Sequence, residues 1–159
     1  MSHNFDFFKI LPAILNSKNS LAAIQFIEDL FFKKKTDHFV SNNDQLIYIG
    51  GYARSRSTYL LNQFYDMGIF CSLKYSHFPF ITSPIISNKI SNILYSDKKI
   101  DRAHNDGLQI DLNSPESFEE IFWANELDHV FDKKYLKEIK NYNEDTFQNY
   151  FNLIKKIKF

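Results

Sequence analysis

Apolar residues recur along the chain at two spacings, and together they predict helices separated by short strands. A recurrence every three to four residues places apolar side chains on one face of a helix. It predicts helices over residues 5–16, 21–35, 57–67, 84–95, 114–123, from 132 onward and from 143 onward. Short continuous apolar runs predict strands at 45–49, 69–73 and 108–112. This order of elements predicts an α/β domain with a parallel sheet and flanking helices.

Polar residues predict where several of these helices begin. Serine and asparagine side chains can accept a hydrogen bond from the first turn of a helix, and proline fits the first helical position. The predicted caps are Ser20, Ser83 before Pro84, Ser114 before Pro115, and Asn143. Only three strands are predicted, fewer than doubly wound nucleotide-binding folds have, so the sheet is expected to be incomplete.

Composition narrows the class of protein. The length corresponds to one domain over residues 1–159. Equal numbers of basic and acidic residues, 19 of each, argue against a nucleic-acid or anionic membrane surface. The single cysteine, Cys71, excludes an internal disulfide and indicates a cytoplasmic protein. No apolar run in the sequence reaches the roughly 20 residues that a membrane span needs. The residues around His3, His38 and His129 show no pattern of metal ligands.

The most distinctive stretch is the turn between the first predicted strand and the next helix, Gly50-Gly51-Tyr52-Ala53-Arg54-Ser55-Arg56-Ser57-Thr58. Helix N–H groups, arginines and hydroxyls suit a phosphate or a sulfate. Counted from Gly51, the turn departs from the phosphate loop G-x-x-x-x-G-K-[ST]. Arg56 stands at its second glycine and Ser57 at its lysine. Because that lysine reaches the terminal phosphates, a nucleotide kinase is the weaker alternative.

The turn resembles the 5′-phosphosulfate-binding loop of sulfotransferases that use 3′-phosphoadenosine 5′-phosphosulfate. That loop follows a strand, reads Gly-x-Pro-[Arg/Lys]-Ser-Gly-Thr-Thr and leads into an apolar helix. The resemblance implies a P-loop-like sulfotransferase fold, with this compound as co-substrate and no metal. The implied cofactor-binding residues are Gly51, Arg54, Ser55, Arg56, Ser57 and Thr58.

Two positions depart from the loop pattern. Ala53 replaces the proline, which is expected to loosen the turn. Arg56 replaces the glycine, so the backbone there is expected to avoid a strained conformation. Arg54 stands at the family's cation, where a guanidinium can clamp phosphate and sulfate and neutralise charge on the departing oxygen.

A second stretch resembles the segment R-x-H-x-D-G … S-P-E-x-x-E-E-x-x-W of a bacterial branch of the same family. It comprises residues 101–107 and the predicted helix 114–123. Transfer to a hydroxyl needs a base that removes the acceptor's proton. The candidates are His77, His104 and Glu119, or Glu120 in place of Glu119, because only one of two adjacent helical residues faces a given site.

The family pattern also includes an arginine and a serine that bind the 3′-phosphate of the co-substrate on a later strand and helix. No arginine follows residue 125. The resemblance therefore implies the N-terminal portion of a longer enzyme, inactive alone or completed by a partner chain. Family analogy implies a carbohydrate or another small hydroxyl compound as acceptor. The non-enzymatic alternative is a degenerate fragment that only binds a partner.

Overall fold

The computed structural model of the protein describes residues 18–37, 44–52, 55–78, 80–95, 98–102, 107–126 and 143–159. This part of the chain is mixed α/β and mostly helical. Its helices are α1 Lys18–Thr36, α2 Ser57–Asp66, α3 Pro84–Leu94, α4 Glu119–Glu126 and α5 Glu144–Lys158. A 3₁₀ turn spans Tyr75–His77, and the strands are β1 Ile100–Asp101 and β2 Gln109–Ile110. None of the described helices has the length and apolar character needed to cross a membrane.

Helix α1 confirms the helix predicted at 21–35. Ser20, predicted to cap that helix, lies inside it, because the helix begins earlier, at Lys18. The last turn carries the lysines at 33–35, where cations offset the partial negative charge of a helix C-terminus. The helices predicted over 5–16 and over 132–142 lie outside the described residues.

Helix α3 starts where the sequence predicts, with Ser83 at the N-cap and Pro84 in the first turn. The Ser83 side chain nevertheless makes no capping hydrogen bond. The carboxylate of Glu28, on α1, accepts a hydrogen bond of 2.7 Å from the backbone N–H of Ile86 instead. A neighbouring helix therefore supplies the acceptor that the first turn of α3 needs.

The predicted parallel sheet is not seen in the described part of the chain. The sheet there consists of β1 and β2, which pair antiparallel with Asp101 opposite Gln109. Their connection, residues 102–108, is short, and Gly107 has a φ of +78°. Parallel strands need a crossover of a dozen or more residues, so a hairpin of this length can only be antiparallel.

The apolar runs at 45–49 and 69–73, predicted as strands, do not form strands. Residues 45–48 are exposed. In the second run, Leu73 is buried in the core, and its carbonyl accepts a hydrogen bond of 3.0 Å from the N–H of Glu116. Short apolar runs do not by themselves distinguish a strand from an irregular segment that packs on a core.

Helix α4 begins later than the Ser114-Pro115 pair predicts, at Glu119. The backbone on either side of Pro115 is already paired with another segment. The N–H of Tyr75 donates to the carbonyl of Ser114 at 3.2 Å, and Lys74 forms a β-bridge with Pro115. Because the backbone at Ser114 and Pro115 is used in this pairing, α4 begins only after it.

The core joins the segment around the 3₁₀ turn to α4 and α5. Its buried hydrophobic cluster consists of Leu73, Phe78, Ile81, Phe122, Tyr150 and Leu153. The rings of Phe122, Trp123 and Tyr150 contact one another, with centroid separations between 4.8 and 5.4 Å. These contacts fix α4 and α5 against the segment that precedes α3.

Helix α5 confirms the last predicted helix and its cap, since the Asn143 side chain accepts a hydrogen bond of 3.2 Å from the N–H of Asp145. Apolar spacing predicts one buried face with Phe147, Tyr150, Phe151, Ile154 and Ile157, and only part of it is confirmed, since Ile154 and Ile157 pack against the core. Tyr150 is buried, but Phe147 and Phe151 are 45% and 52% exposed. The other buried positions are Thr146, Leu153 and Lys156.

Lys156 is a charged residue on the buried side of α5, where α1, α3 and α5 meet. Its Nζ lies 3.2 Å from Oε1 of Glu28 and 2.6 Å from Oδ1 of Asp29. It also donates to the carbonyl of Thr82 at 3.4 Å. Burial raises the pKa of Glu28, although the N–H of Ile86 and the ammonium of Lys156 both favour its charged form.

Candidate functional site

The described residues on either side of the turn before α2, Gly51-Tyr52 and Ser55, lie close together. The N–H of Ser55 donates to the carbonyl of Tyr52 at 3.1 Å. A Cβ atom on Gly51 would lie 3.2 Å from the Cβ of Ser55, and nearer still to the Ser55 hydroxyl. A residue with a Cβ at 51 would therefore require the Ser55 side chain to shift.

Arg56, immediately before α2, has a left-handed backbone with φ 65° and ψ 24°. The expectation that an arginine here avoids a strained conformation is therefore wrong. The carbonyl of Arg56 accepts the hydrogen bond of 3.1 Å from the N–H of Leu60, one of the first of the helix. The chain thus reverses and enters the helix at the same residue, and a Cβ makes that conformation costly.

The first turn of α2 suits an anion. The first N–H groups of a helix have no acceptor within the helix, and the helix dipole adds partial positive charge there. The N-cap residue Arg56 makes no side-chain capping hydrogen bond, and the first turn carries no acidic residue. Ser57 and Thr58, both half-buried, place their hydroxyls in the same turn.

Arg102 connects this turn with the second predicted motif. Its Nη2 lies 3.5 Å from Oγ1 of Thr58 and forms an ion pair with Oε2 of Glu116. The side chains of Arg102 and Glu116 are only 11% and 10% exposed. The fold therefore brings the two motif-bearing stretches, residues 51–58 and 101–123, into contact through Thr58 and Arg102.

Glu116 is fixed by further hydrogen bonds. Its Oε2 also accepts from the hydroxyl of Tyr75 at 3.1 Å, and its Oε1 accepts from the N–H of Ser117 at 3.0 Å. Burial raises the pKa of Tyr75, so its hydroxyl remains a donor. We call Thr58, Tyr75, Arg102 and Glu116 the Arg102 cluster. Such a connected and largely buried chain of hydrogen bonds holds its members in one geometry.

His77 lies in the 3₁₀ turn and is only 5% exposed. Its Nδ1 accepts a hydrogen bond of 3.2 Å from the N–H of Lys74. Burial, helped by the charge of Lys74, lowers the pKa of His77 from 6.5 to about 3. The ring is therefore neutral at pH 7, with its proton on Nε2, and is a weak base. These features favour a structural role.

Glu119 opens α4 and is half-buried, whereas the adjacent Glu120 is exposed. Burial raises the pKa of Glu119, and the neighbouring hydroxyl of Tyr150 partly opposes the shift. A raised pKa brings a carboxylate towards the pH at which a general base works best. The ring of Tyr150 stacks on Tyr48 at 6.5 Å between centroids, so Glu119 is linked through Tyr150 to the segment that enters the turn.

Two predicted site residues, Arg54 and His104, lie outside the described residues and stay predictions. Sequence reasoning does not single out Arg102 and Glu116, although both belong to the second motif. The available signal was an arginine among several carboxylates within that motif, but charge alone does not tell which of them pair or which way a loop side chain points. Among the described residues, no group of three His, Cys, Asp or Glu side chains is placed to hold a metal ion.

Comparison with known proteins does not assign a function to the chain. No protein-family model, curated protein or solved structure matches the chain. The turn before α2, the Arg102 cluster and Glu119 are therefore the features from which a function is inferred.

Proposed function

We propose that the chain is a sulfotransferase-like protein, with a P-loop-like fold, that uses 3′-phosphoadenosine 5′-phosphosulfate. The observation that carries the proposal is the left-handed conformation of Arg56. It occurs at the position where the phosphosulfate-binding loop has a glycine, the residue that adopts such a backbone at least cost. At this position the backbone has a conformation that glycine adopts readily, although the residue is an arginine.

The first turn of α2 would hold the 5′-phosphosulfate group. Its N–H groups and the hydroxyls of Ser57 and Thr58 supply neutral donors, and Arg54 supplies a guanidinium. The bond from sulfur to the bridging phosphate oxygen breaks as a bond from sulfur to the acceptor oxygen forms. Donors and cation stabilise the charge that develops on the bridging oxygen. The acceptor is a carbohydrate or another small hydroxyl compound, and the setting is cytoplasmic.

Glu119 is the preferred base among the described candidates. It would take the proton that leaves the acceptor hydroxyl, for which its raised pKa suits it. The lowered pKa of His77 suits that role less. His104, in the second motif, is the other candidate.

Calorimetric titration with 3′-phosphoadenosine 5′-phosphate tests the proposal. We expect the wild type to bind and Arg54→Ala to bind at least about tenfold more weakly, since a hydrogen bond to a charged group contributes about 1.5–3 kcal/mol. Lys99→Ala, which removes an exposed lysine elsewhere, is the matched control and should bind like the wild type. Equal affinities for Arg54→Ala and the wild type would refute the loop assignment.

A second candidate, a chain that only binds a partner, is favoured by the exposure of α2. No residue of this helix is buried, and Tyr59 and Leu60 are 57% and 46% exposed. Thermal melts separate the candidates, because a ligand that binds only the native state raises the melting temperature. A sulfotransferase is stabilised by 3′-phosphoadenosine 5′-phosphate, a kinase by ATP with magnesium, and an interaction-only chain by neither.

A further inference from the structure

We propose that Arg102 is a positioning residue of this site: it holds the Thr58 hydroxyl so that its proton points to the bound phosphosulfate. The inference rests on the proposed function and adds to it a residue outside the phosphosulfate loop. Its starting point is the contact of 3.5 Å between Nη2 of Arg102 and Oγ1 of Thr58.

The chemistry of the two groups fixes the direction of this hydrogen bond. A guanidinium has only donors, whereas a hydroxyl has one proton and two lone pairs. In its contact with Arg102, Oγ1 of Thr58 must therefore be the acceptor. The hydroxyl proton stays available for another acceptor.

Without Arg102, nothing among the described contacts fixes the direction of the Thr58 hydroxyl. A hydroxyl has one proton that rotates to suit its surroundings, so the proton could then point away from a ligand at the helix N-terminus. Contact with Arg102 sets the rotamer and occupies a lone pair. The hydroxyl is thus prepared as a donor before any anion arrives.

Arg102 itself is held away from a direct role. Its guanidinium is paired with Glu116, whose carboxylate is fixed by Tyr75 and by the N–H of Ser117. The acid offsets the charge of Arg102, so the cluster adds little net positive charge to the site. Arg102 therefore acts through Thr58, whereas Arg54 is proposed to touch the anion.

A double-mutant cycle measured by calorimetric titration with 3′-phosphoadenosine 5′-phosphate tests this coupling. The variants are Thr58→Val, Arg102→Met and their combination. We expect each single change to weaken binding about tenfold, as for the loss of one hydrogen bond to a charged group. The combination should bind no more weakly than Thr58→Val alone.

Thr58→Ser provides the rescue. Serine keeps the hydroxyl, so adding Arg102→Met should again weaken binding about tenfold. If Arg102 had only a structural role, Arg102→Met would weaken binding by the same factor in the Thr58→Val and Thr58→Ser backgrounds. Arg102→Lys keeps the charge but loses the planar fork, and it should recover only part of the loss.

Folding is checked by thermal melts of every variant. If Arg102→Met is unfolded because Glu116 is left unpaired, the cycle is repeated with Glu116→Gln throughout. Lys99→Met is the matched control for loss of a cation.

The possible failures differ from one another. In one outcome the wild type binds, but the losses of affinity from Thr58→Val and Arg102→Met multiply to about a hundredfold in the combined variant. In another, Arg102→Met binds like the wild type. In either case Arg102 does not act through Thr58, and only this inference fails. If the wild type does not bind at all, the proposed function and the inference both fall.

Discussion

The ammonium nitrogen of Lys156 lies 3.2 Å from a carboxylate oxygen of Glu28, and the two side chains are 3% and 0% exposed. The same carboxylate binds the first turn of α3 through the N–H of Ile86. One acid thus serves both as the partner of a buried cation and as the cap of a helix. Removing one partner of a buried ion pair is costly, because the other charge remains without compensation.

We therefore expect Lys156→Met to lower the free energy of unfolding by about 3 kcal/mol. Lys155→Met is the matched control, since its pair with Asp37 is 23% and 46% exposed. Exposed ion pairs contribute little to stability, so we expect Lys155→Met to change the free energy of unfolding by about 0.5 kcal/mol. Urea unfolding at pH 7 measures the free energy of unfolding of both variants.

Adding Glu28→Gln to Lys156→Met should recover part of the loss, because the amide oxygen can still accept from Ile86 and no charge stays buried. Equal losses for the two lysine variants would show that the buried pair has no special importance.

Alanine substitutions at two predicted helix caps should have different effects on stability. Asn143 accepts a hydrogen bond from the N–H of Asp145, so Asn143→Ala should cost about 1 kcal/mol. The hydroxyl of Ser83 is buried without a hydrogen-bond partner among the described residues, and Glu28 caps its helix instead. Ser83→Ala should therefore change stability by less than about 0.5 kcal/mol. Urea unfolding measures the free energy of unfolding of both variants. A loss for Ser83→Ala as large as for Asn143→Ala would contradict the assignment of Glu28 as the cap.

His77 should make the fold less stable in acid. Its pKa falls from 6.5 to about 3 on burial, so below pH 6.5 the unfolded chain takes up a proton that the folded chain does not. The stabilisation is present above pH 6.5 and is lost as pH falls towards 3, at up to about 1.4 kcal/mol per pH unit.

His77→Asn isolates this contribution. Its amide oxygen can accept from Lys74 but does not titrate. Between pH 7.5 and 5.0, urea unfolding of the wild type should lose about 2 kcal/mol more than that of the variant. Parallel pH profiles would mean that His77 is not buried as a neutral ring.

The strained turn should tolerate glycine better than arginine. Arg56→Gly removes the Cβ from a left-handed backbone, so we expect a gain of about 0.5–1 kcal/mol in the free energy of unfolding after the entropy of glycine is subtracted. Arg56→Lys is the control and should leave stability unchanged. Arg56→Val, with a branched Cβ in the same backbone, should destabilise the protein. If thermal melts rank the valine variant above the glycine variant, Arg56 does not have a positive φ in solution.

Helices proved predictable from the sequence because their signals are local. The spacing of apolar residues locates α1, α2, α3 and α5, and Asn143 caps its helix as its residue type suggests. The sheet was not predictable, because strand pairing depends on distant partners. Residues 45–49 have the composition of a strand but no strand pairing, and the pairing of Lys74 with Pro115 delays α4.

The candidate site was predictable only in part, for the same reason. The glycines and hydroxyls of residues 50–58 are adjacent in the sequence, so their chemistry can be read directly. The contact between Arg102 and Thr58 joins residues far apart in the chain, and nothing local to either one indicates it. The burial of Lys156 likewise depends on distant partners, since the acids that it pairs with lie on α1.

The contacts of α5 with the segment before the turn also have a consequence for protein synthesis. The ring of Tyr150 stacks on Tyr48, and Lys158 pairs with Asp44 at 2.6 Å. These contacts join residues about a hundred positions apart, and long-range contacts form slowly because the intervening chain must first be closed. On the ribosome, the segment that leads into the turn before α2 would therefore make these contacts only after α5 has emerged.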